Sequence, residues 1–186
     1  VWAIVPAVIG MISGRKLGRH LTENQFKNAL EFYEKSLVVK KDYGTQIDNI
    51  NAHYNIANMQ LKLSDKTNDS LLLNEAKKNF ITTLNLSNTN QYGNGKLYGL
   101  EGLGQIAFNK KNYTEATQVY SKMDSISEAI KNIPMIGVSN LKLGVIAVEK
   151  NEFNIARKKL FKAKTIIEKS GVQKDKAQLY YYLNLL

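Results

Sequence analysis

Apolar residues recur along this chain with a helical spacing, and the whole pattern returns at a constant interval. Ala76, Ala116 and Ala156 are evenly spaced, and each has side chains of alternating size at positions −3, +4 and +7. These offsets lie on one face of an α-helix. A fourth copy surrounds Ala29, at a step that is seven positions longer. In the order −3, +4 and +7, the flanking residues are Leu73, Phe80 and Thr83 around Ala76; Tyr113, Tyr120 and Met123 around Ala116; Phe153, Leu160 and Ala163 around Ala156; and Phe26, Tyr33 and Ser36 around Ala29.

A second helical pattern precedes each of the later copies. Gly104 and Gly144 each follow a leucine and lie twelve positions before the alanine of their copy, and Ala57 is the matching small residue in the second copy. A glycine inside a helix costs about 1 kcal/mol relative to alanine, so a recurring one indicates close helix approach. The seven extra positions of the second copy fall around Asp65 to Leu72 and predict a lengthened polar turn. The repeated unit is therefore a helical hairpin.

Stacked hairpins give an all-α fold, because one hairpin cannot bury its apolar face alone and each unit must cover its neighbour. The stretches Asn51 to Leu63 and Gly99 to Met123 resemble the tetratricopeptide repeat family, in its subgroup with lengthened helices. The likeness extends from Leu17 to Leu186. It implies a right-handed α-solenoid of antiparallel hairpins over residues 15–186, with four hairpins and the first helix of a fifth.

The same resemblance implies where a partner binds, because first helices line the concave groove in that family. Side chains of Asn, Gln, Lys and Tyr there suit the backbone and acidic groups of a bound peptide. The groove residues by this criterion are Tyr54, Asn55, Asn58, Lys62, Glu101, Gln105, Lys142, Val145 and Tyr181. The family's carboxylate clamp is not carried over, because Glu101 and Gly102 stand where it needs polar and basic groups.

Composition argues against catalysis. The chain has no cysteine and two histidines, and the glycines of Gly93 to Gly104 do not have the spacing of a phosphate-binding loop. Asp65 and Asp69 lack the glycine and closing glutamate of a calcium loop. The sequence thus predicts a non-enzyme with no cofactor and no metal site.

The charge balance is strongly basic, with 26 Lys and Arg against 16 Asp and Glu and a formal net charge of +10. Such a charge favours acidic protein segments, nucleic acid or an anionic membrane. Nucleic acid is disfavoured, because no basic run is interleaved with aromatic residues.

The N-terminal segment, residues 1–14, has two interpretations. Val1 to Ile12 carries no charge and precedes Arg15, Lys16 and Arg19, which is typical of the end of a membrane anchor with its soluble part in the cytoplasm. This apolar run is shorter than the about 20 residues that span a bilayer, so a helix capping the repeats is equally compatible. The chain is accordingly expected in the cytoplasm or at the cytoplasmic face of a membrane.

The C-terminal stretch Asp175 to Leu186 repeats the first-helix pattern, with Asn184 one repeat length after Gly144. No second helix follows, so Tyr182, Leu183, Leu185 and Leu186 are expected to be partly uncovered. Either the array is longer than this sequence, or this edge packs on a partner or a second copy.

Two functions fit these patterns. The first is a protein-binding scaffold that holds a peptide segment or partner subunit in its groove. The alternative is the ligand-sensing part of a peptide-responsive or kinase-linked regulator.

Overall fold

A computed structural model of the chain describes residues 22–170 and 173–186. This part of the chain contains eight helices and no strand, and consecutive helices pack against each other, which confirms the all-α prediction. The helices are α1 (Glu23–Tyr43), α2 (Gln46–Thr67), α3 (Ser70–Thr89), α4 (Gly93–Asn109), α5 (Tyr113–Ala129), α6 (Ile133–Glu149), α7 (Phe153–Ser170) and α8 (Gln173–Leu183).

The chain divides into two compact units, and the division falls within α4 between Gly99 and Leu100. The core of the first unit includes Phe26, Ile50, Ile56, Ala57, Leu61, Ala76, Phe80 and Leu97. The core cluster of the second unit consists of Leu141, Val145, Leu160, Ala163, Ile167 and Leu179. Each unit therefore has its own buried apolar interior.

Four connections between helices share one backbone conformation. The middle residue of each three-residue connection has a left-handed conformation, with φ between 52° and 60°, at Gln91, Lys111, Lys131 and Asn151. The backbone N–H of the next residue donates to the carbonyl five positions earlier over 2.8–3.0 Å. This Schellman arrangement satisfies the last carbonyls of the helix that ends there.

In two of these connections, the residue that closes the preceding helix also caps the next one. Asn112 and Asn132 close the preceding helix through their backbone and cap the following one through their side chains. Asn112 Oδ1 accepts from Glu115 N over 3.2 Å, and Asn132 Oδ1 accepts from Met135 N over 3.1 Å. Because one residue serves both helices, a short connection is enough to reverse the chain.

The predicted long turn in the second hairpin is wrong, because the extra residues lie in the helices. Helix α2 has 22 residues and α3 has 20, whereas α4, α5 and α6 have 17 each. Only Asn68 and Asp69 separate α2 from α3. Asn68 takes a left-handed conformation, and Asp69 Oδ1 accepts from Leu71 N over 2.8 Å, so the second helix starts at once.

The helix face built around the repeated alanines is buried in the three later copies. Ala76, Ala116 and Ala156 are each 0% exposed. The residues four and seven positions later are buried too, namely Phe80 and Thr83, Tyr120 and Met123, and Leu160 and Ala163. The position three before the alanine differs, since Phe153 is 48% exposed as the first residue of α7. Ala29 in the first copy is only half-buried.

Close helix approach at the repeated glycines is confirmed. A Cβ atom at Gly104 would lie 2.7 Å from Cζ of Tyr120, and one at Gly144 would lie 2.6 Å from Cγ of Leu160. Both distances are far shorter than van der Waals contact. The large residue of each second helix therefore occupies the space that a side chain on the first helix would need.

The C-terminal helix is shorter than the repeat predicts. Helix α8 ends at Leu183, so Asn184 lies outside it rather than matching Gly144 within a helix. Tyr182, Leu183 and Leu186 pack partly buried against the core cluster of the second unit, and Leu185 is 51% exposed. These residues are thus partly uncovered, as predicted.

Replacing Lys111 or Lys131 with glycine should stabilise the protein. Both lysines are exposed and left-handed, a conformation costing a non-glycine residue about 1–2 kcal/mol, partly offset by glycine's greater freedom when unfolded. We expect each variant to gain about 0.5–1 kcal/mol, measured as a higher midpoint in guanidinium unfolding. Asn151→Gly is the control and should change little, because asparagine tolerates this conformation. An equal gain in all three variants would contradict this explanation.

Gly144→Ala should destabilise the protein although alanine is the better helix former. The added Cβ would meet both Cγ and the backbone nitrogen of Leu160, the latter at 3.2 Å. Overpacking of this kind costs about 1–3 kcal/mol, which exceeds the about 1 kcal/mol gained in helix propensity. In a Leu160→Ala background the same change should be neutral or stabilising. A double-mutant cycle by denaturant unfolding measures this coupling, and its absence would refute the close contact.

Candidate functional site

The predicted groove residues lie in both units, four in the first and five in the second. In the first unit they are all on α2, where Tyr54, Asn58 and Lys62 follow one another at four-residue steps on one face. Tyr54 stacks on Tyr98 with ring centroids 4.8 Å apart, and Asn58 Nδ2 donates to the Tyr54 carbonyl over 3.1 Å. Asn55 is half-buried, and the Lys62 ammonium lies 5.9 Å from the Phe26 ring centroid.

A polar bridge beside this face was not predicted from the sequence. His53 Nδ1 lies 2.8 Å from Asn79 Oδ1, and Asn79 Nδ2 donates to Gln60 Oε1 over 3.0 Å. Because the Asn79 oxygen can only accept, Nδ1 of His53 carries the hydrogen in this arrangement. The bridge ties α2 to α3 and gives the histidine a structural role.

In the second unit, the fold brings three predicted groove residues together. Gln105, Lys142 and Val145 line one cleft with Phe108, Tyr120 and Gln178, and we call it the Tyr120 cleft. Lys142 Nζ donates to Gln178 Oε1 over 2.8 Å, and Gln105 Nε2 donates to Asn109 Oδ1 over 2.7 Å. The cleft has room for about one water molecule, far less than the about 300–1,000 Å³ of typical small-molecule sites.

The other predicted residues of this unit contribute differently. Val145 is 1% exposed and belongs to the core cluster, so it forms the floor of the cleft rather than its surface. Glu101 is half-buried one turn before Gln105 and does not line the cleft. Tyr181 is 61% exposed and packs edge-on against Tyr182, also outside the cleft.

Tyr120 is the lining residue that the sequence pattern assigned only to the core. Its side chain is 1% exposed, and its hydroxyl has no hydrogen-bond partner among the described residues. Burial raises the pKa of Tyr120 well above its ordinary value, and the negative charge of Glu101 raises the pKa further. The hydroxyl therefore keeps its proton at neutral pH and remains a hydrogen-bond donor.

A buried polar network around Asp124 joins α5, α6 and α7. Ser139 Oγ and Asn140 Nδ2 each donate to Asp124 Oδ1 over 2.7 Å, and Lys159 Nζ lies 3.4 Å from Asp124 Oδ2. Ser139 and Asn140 are fully buried, and Asp124 is nearly so. The sequence signal for it is a Ser-Asn pair in the middle of the otherwise apolar α6.

Other candidate sites receive no support within residues 22–170 and 173–186. No group of three or more His, Asp or Glu side chains there could hold a metal ion. None of the helices in that part combines the length and hydrophobicity needed to cross a bilayer. The predicted anchor Val1 to Ile12 and its flank Arg15, Lys16 and Arg19 lie outside the described residues.

Neither the scan against protein-family models nor the search of curated proteins gives a match to this chain.

Removing the Asp124 carboxylate should destabilise the protein more than removing its lysine partner. Asp124→Ala takes an acceptor from two fully buried donors, which we expect to cost about 2–3 kcal/mol. Lys159→Met breaks a 3.4 Å ion pair whose lysine side chain is 30% exposed, so its cost should stay below about 1 kcal/mol. Denaturant unfolding of both variants measures the difference. Equal losses would mean that the ion pair, and not the network, matters.

Proposed function

We propose that this chain is a non-enzymatic protein-binding scaffold of the tetratricopeptide type. In this proposal, an extended segment of a partner protein lies across the residues that line the Tyr120 cleft of the second unit. The observation that supports the proposal is which helices supply the polar residues that line the cleft. Gln105, Lys142 and Gln178 come from α4, α6 and α8, which are alternate helices of the chain. A surface formed by the first helix of each hairpin is what the repeat predicts for a peptide-binding face.

The chemistry of the lining suits a peptide. Carboxamide groups can both donate to and accept from a peptide backbone, and the ammonium group of Lys142 adds a cation. Beneath them, Phe108 and Val145 provide an apolar floor. A few polar groups over an apolar base are common in segment recognition, where backbone bonds supply affinity and small pockets supply specificity.

The size of the cleft and the charge of the chain narrow the kind of partner. A cleft with room for about one water molecule is too small for a complete metabolite. The formal net charge of +10 attracts segments rich in Asp and Glu and accelerates their association at low salt. We therefore expect the partner segment to be acidic.

The test is cross-linked capture from native cells with the full-length tagged protein, comparing two matched double variants. Gln105→Ala with Lys142→Ala alters the cleft. Gln118→Ala with Lys158→Ala removes the same residue types from positions on α5 and α7 that do not line the cleft. We expect the cleft variant to lose at least about tenfold of a specific partner, as loss of a hydrogen bond to a charged group implies. The control variant should retain it.

Three results would contradict the proposal. Capture that is lost in the control variant and retained in the cleft variant would place the binding surface on the second helices. A purified chain that turns over a small molecule would refute the non-enzymatic assignment. Cross-links between two copies of the chain would identify the bound segment as part of a second copy, which also contradicts a separate acidic partner.

A further inference from the structure

Helix α1 has two apolar faces, and one of them is open to solvent. The first face packs against α2 and contains Phe26, the one buried residue of the helix. The second face carries Phe32, Val39 and Tyr43, whose side chains are 46%, 59% and 87% exposed. Large apolar side chains aligned on a surface helix mark a site of association, because their burial removes apolar area from water.

The repeat shows that this side of a second helix is covered in the later copies. Ala29 stands at the position of Ala76, Ala116 and Ala156, which are each 0% exposed, yet Ala29 is only half-buried. Ser36, seven positions later, is also half-buried, whereas its counterparts in the later copies are fully buried. Within the described part of the chain, α1 therefore lacks the cover that its counterparts have.

The side chains on this open face have the spacing of a seam between two helices. Successive residues of the face are three, four, three and four positions apart, namely Ala29, Phe32, Ser36, Val39 and Tyr43. We call these five residues the α1 seam. Alternating steps of three and four keep side chains on one narrow stripe and are typical of helices that pair by knobs-into-holes packing. The α1 seam is about 21 Å long, which is enough for four turns of contact.

The charged residues beside the α1 seam are complementary to those of a second α1 in the antiparallel direction. Lys35 and Asp42 are both exposed, and each directly precedes a seam residue. In an antiparallel pair these flanking positions face each other, so Lys35 of one copy meets Asp42 of the other, and two-fold symmetry repeats the contact. In the same register Phe32 lies opposite Tyr43, and Ser36 lies opposite Val39.

The same charges disfavour a parallel pair and favour a second copy over a randomly charged surface. In a parallel pair, Lys35 of one copy would face Lys40 of the other on both sides of the α1 seam. Helix α1 contains four lysines and four acidic residues, so it is neutral although the chain has a formal net charge of +10. Two copies can therefore approach through α1 with little of the repulsion that the rest of the chain would cause.

We propose that α1 is a self-association surface through which two copies of the chain pair as antiparallel helices. Phe32 and Tyr43 stack at both ends of the α1 seam, and Lys35 bonds to Asp42 across it. A contact of four helical turns is at the low end of specific interfaces, so we expect a Kd of about 1–100 µM. The pair would carry two Tyr120 clefts and would bind a partner with two segments more tightly than one copy does.

The experiment measures self-association of the complete chain by sedimentation equilibrium. The protein concentration brackets the expected Kd, at about 0.15 M salt, where the Debye length of about 8 Å screens long-range repulsion. We expect the average mass to rise from one copy to two as the concentration increases.

Exchange of the two charges is the decisive test. Lys35→Asp would place two acids together and Asp42→Lys two lysines, at two symmetric places each, so each single variant should weaken the dimer by at least about tenfold. The double variant restores both pairs with their charges exchanged and should recover the dimer. Within one helix the two residues are about 10 Å apart along the axis, so recovery requires contact between copies.

Lys27→Asp is the matched control on the same helix. Lys27 bonds to Glu23 as Lys35 bonds to Glu31, each four positions apart and over 2.5 Å. Lys27 lies on the opposite side of α1 from the seam, so this variant should lose the same kind of exposed ion pair and keep the dimer. Circular dichroism of all variants checks that each remains helical.

Three results would overturn self-association through α1. They are a complete chain that stays monomeric, equal weakening of the dimer in Lys27→Asp, and a charge-exchanged double variant that does not recover. For a monomeric chain, Val39→Asp identifies the other occupant. A lower unfolding midpoint would mean that another part of the same chain covers the α1 seam, and an unchanged midpoint would leave it to a different protein.

The dimer and the scaffold function can fail separately. The α1 seam lies in the first unit, whereas the residues of the Tyr120 cleft lie in the second. Cross-links from α1 of one copy to α1 of another would support the dimer, and cross-links between copies that reach the cleft would not. A monomeric chain that still captures its partner through the cleft would reject the dimer and leave the scaffold function standing.

Discussion

The way in which one helix ends and the next begins is the constraint on which the rest of this structure depends. At four connections a left-handed residue closes the preceding helix, and the residue after it stands directly before the next helix. Helices therefore start at Gly93, Tyr113, Ile133 and Phe153, which are evenly spaced along the chain. Two such intervals make one repeat of the sequence pattern. Because these four connections have the same length, the same face of α5 and of α7 meets the neighbouring helices, and Ala116 and Ala156 are both buried.

The constant length of these connections fixes which residues of adjacent helices face each other. This explains why a glycine packs against a large side chain twice in the second unit. Gly104 faces Tyr120 and Gly144 faces Leu160, in each case with no room for a Cβ atom. The glycine costs helix propensity, but the large side chain gains burial on the order of 1.5–3 kcal/mol. Close packing therefore offsets the local cost. The same geometry brings the ring of Tyr120 to the Gln105 side of α4, so the candidate site follows from the packing of the hairpin.

The sequence predicted what depends on helical periodicity and missed what depends on tertiary pairing. Burial at Ala76, Ala116 and Ala156 follows from the spacing of neighbouring residues, so it was predictable. The left-handed positions carry lysine, glutamine and asparagine, so no glycine marked them. The polar composition of the segment around Asp65 predicts a turn, whereas an immediate cap at Asp69 lets both helices run through it. The network around Asp124 joins residues that are far apart in sequence, and no local pattern reveals their contact.

The unpaired hydroxyl of Tyr120 is informative because the other buried hydroxyls among the described residues are paired, most of them within their own helices. Ser127 Oγ donates to the Met123 carbonyl over 2.7 Å, and Ser87 Oγ donates to the Thr83 carbonyl over 2.6 Å. Short side chains can reach these carbonyls, but a tyrosine hydroxyl lies too far from its own backbone. Among the described residues, two asparagine oxygens also lack partners, and in Asn140 the amide nitrogen of the same group makes two bonds. Tyr120 has no second polar atom in its side chain, so no other hydrogen bond of the same side chain offsets the cost of burying its hydroxyl.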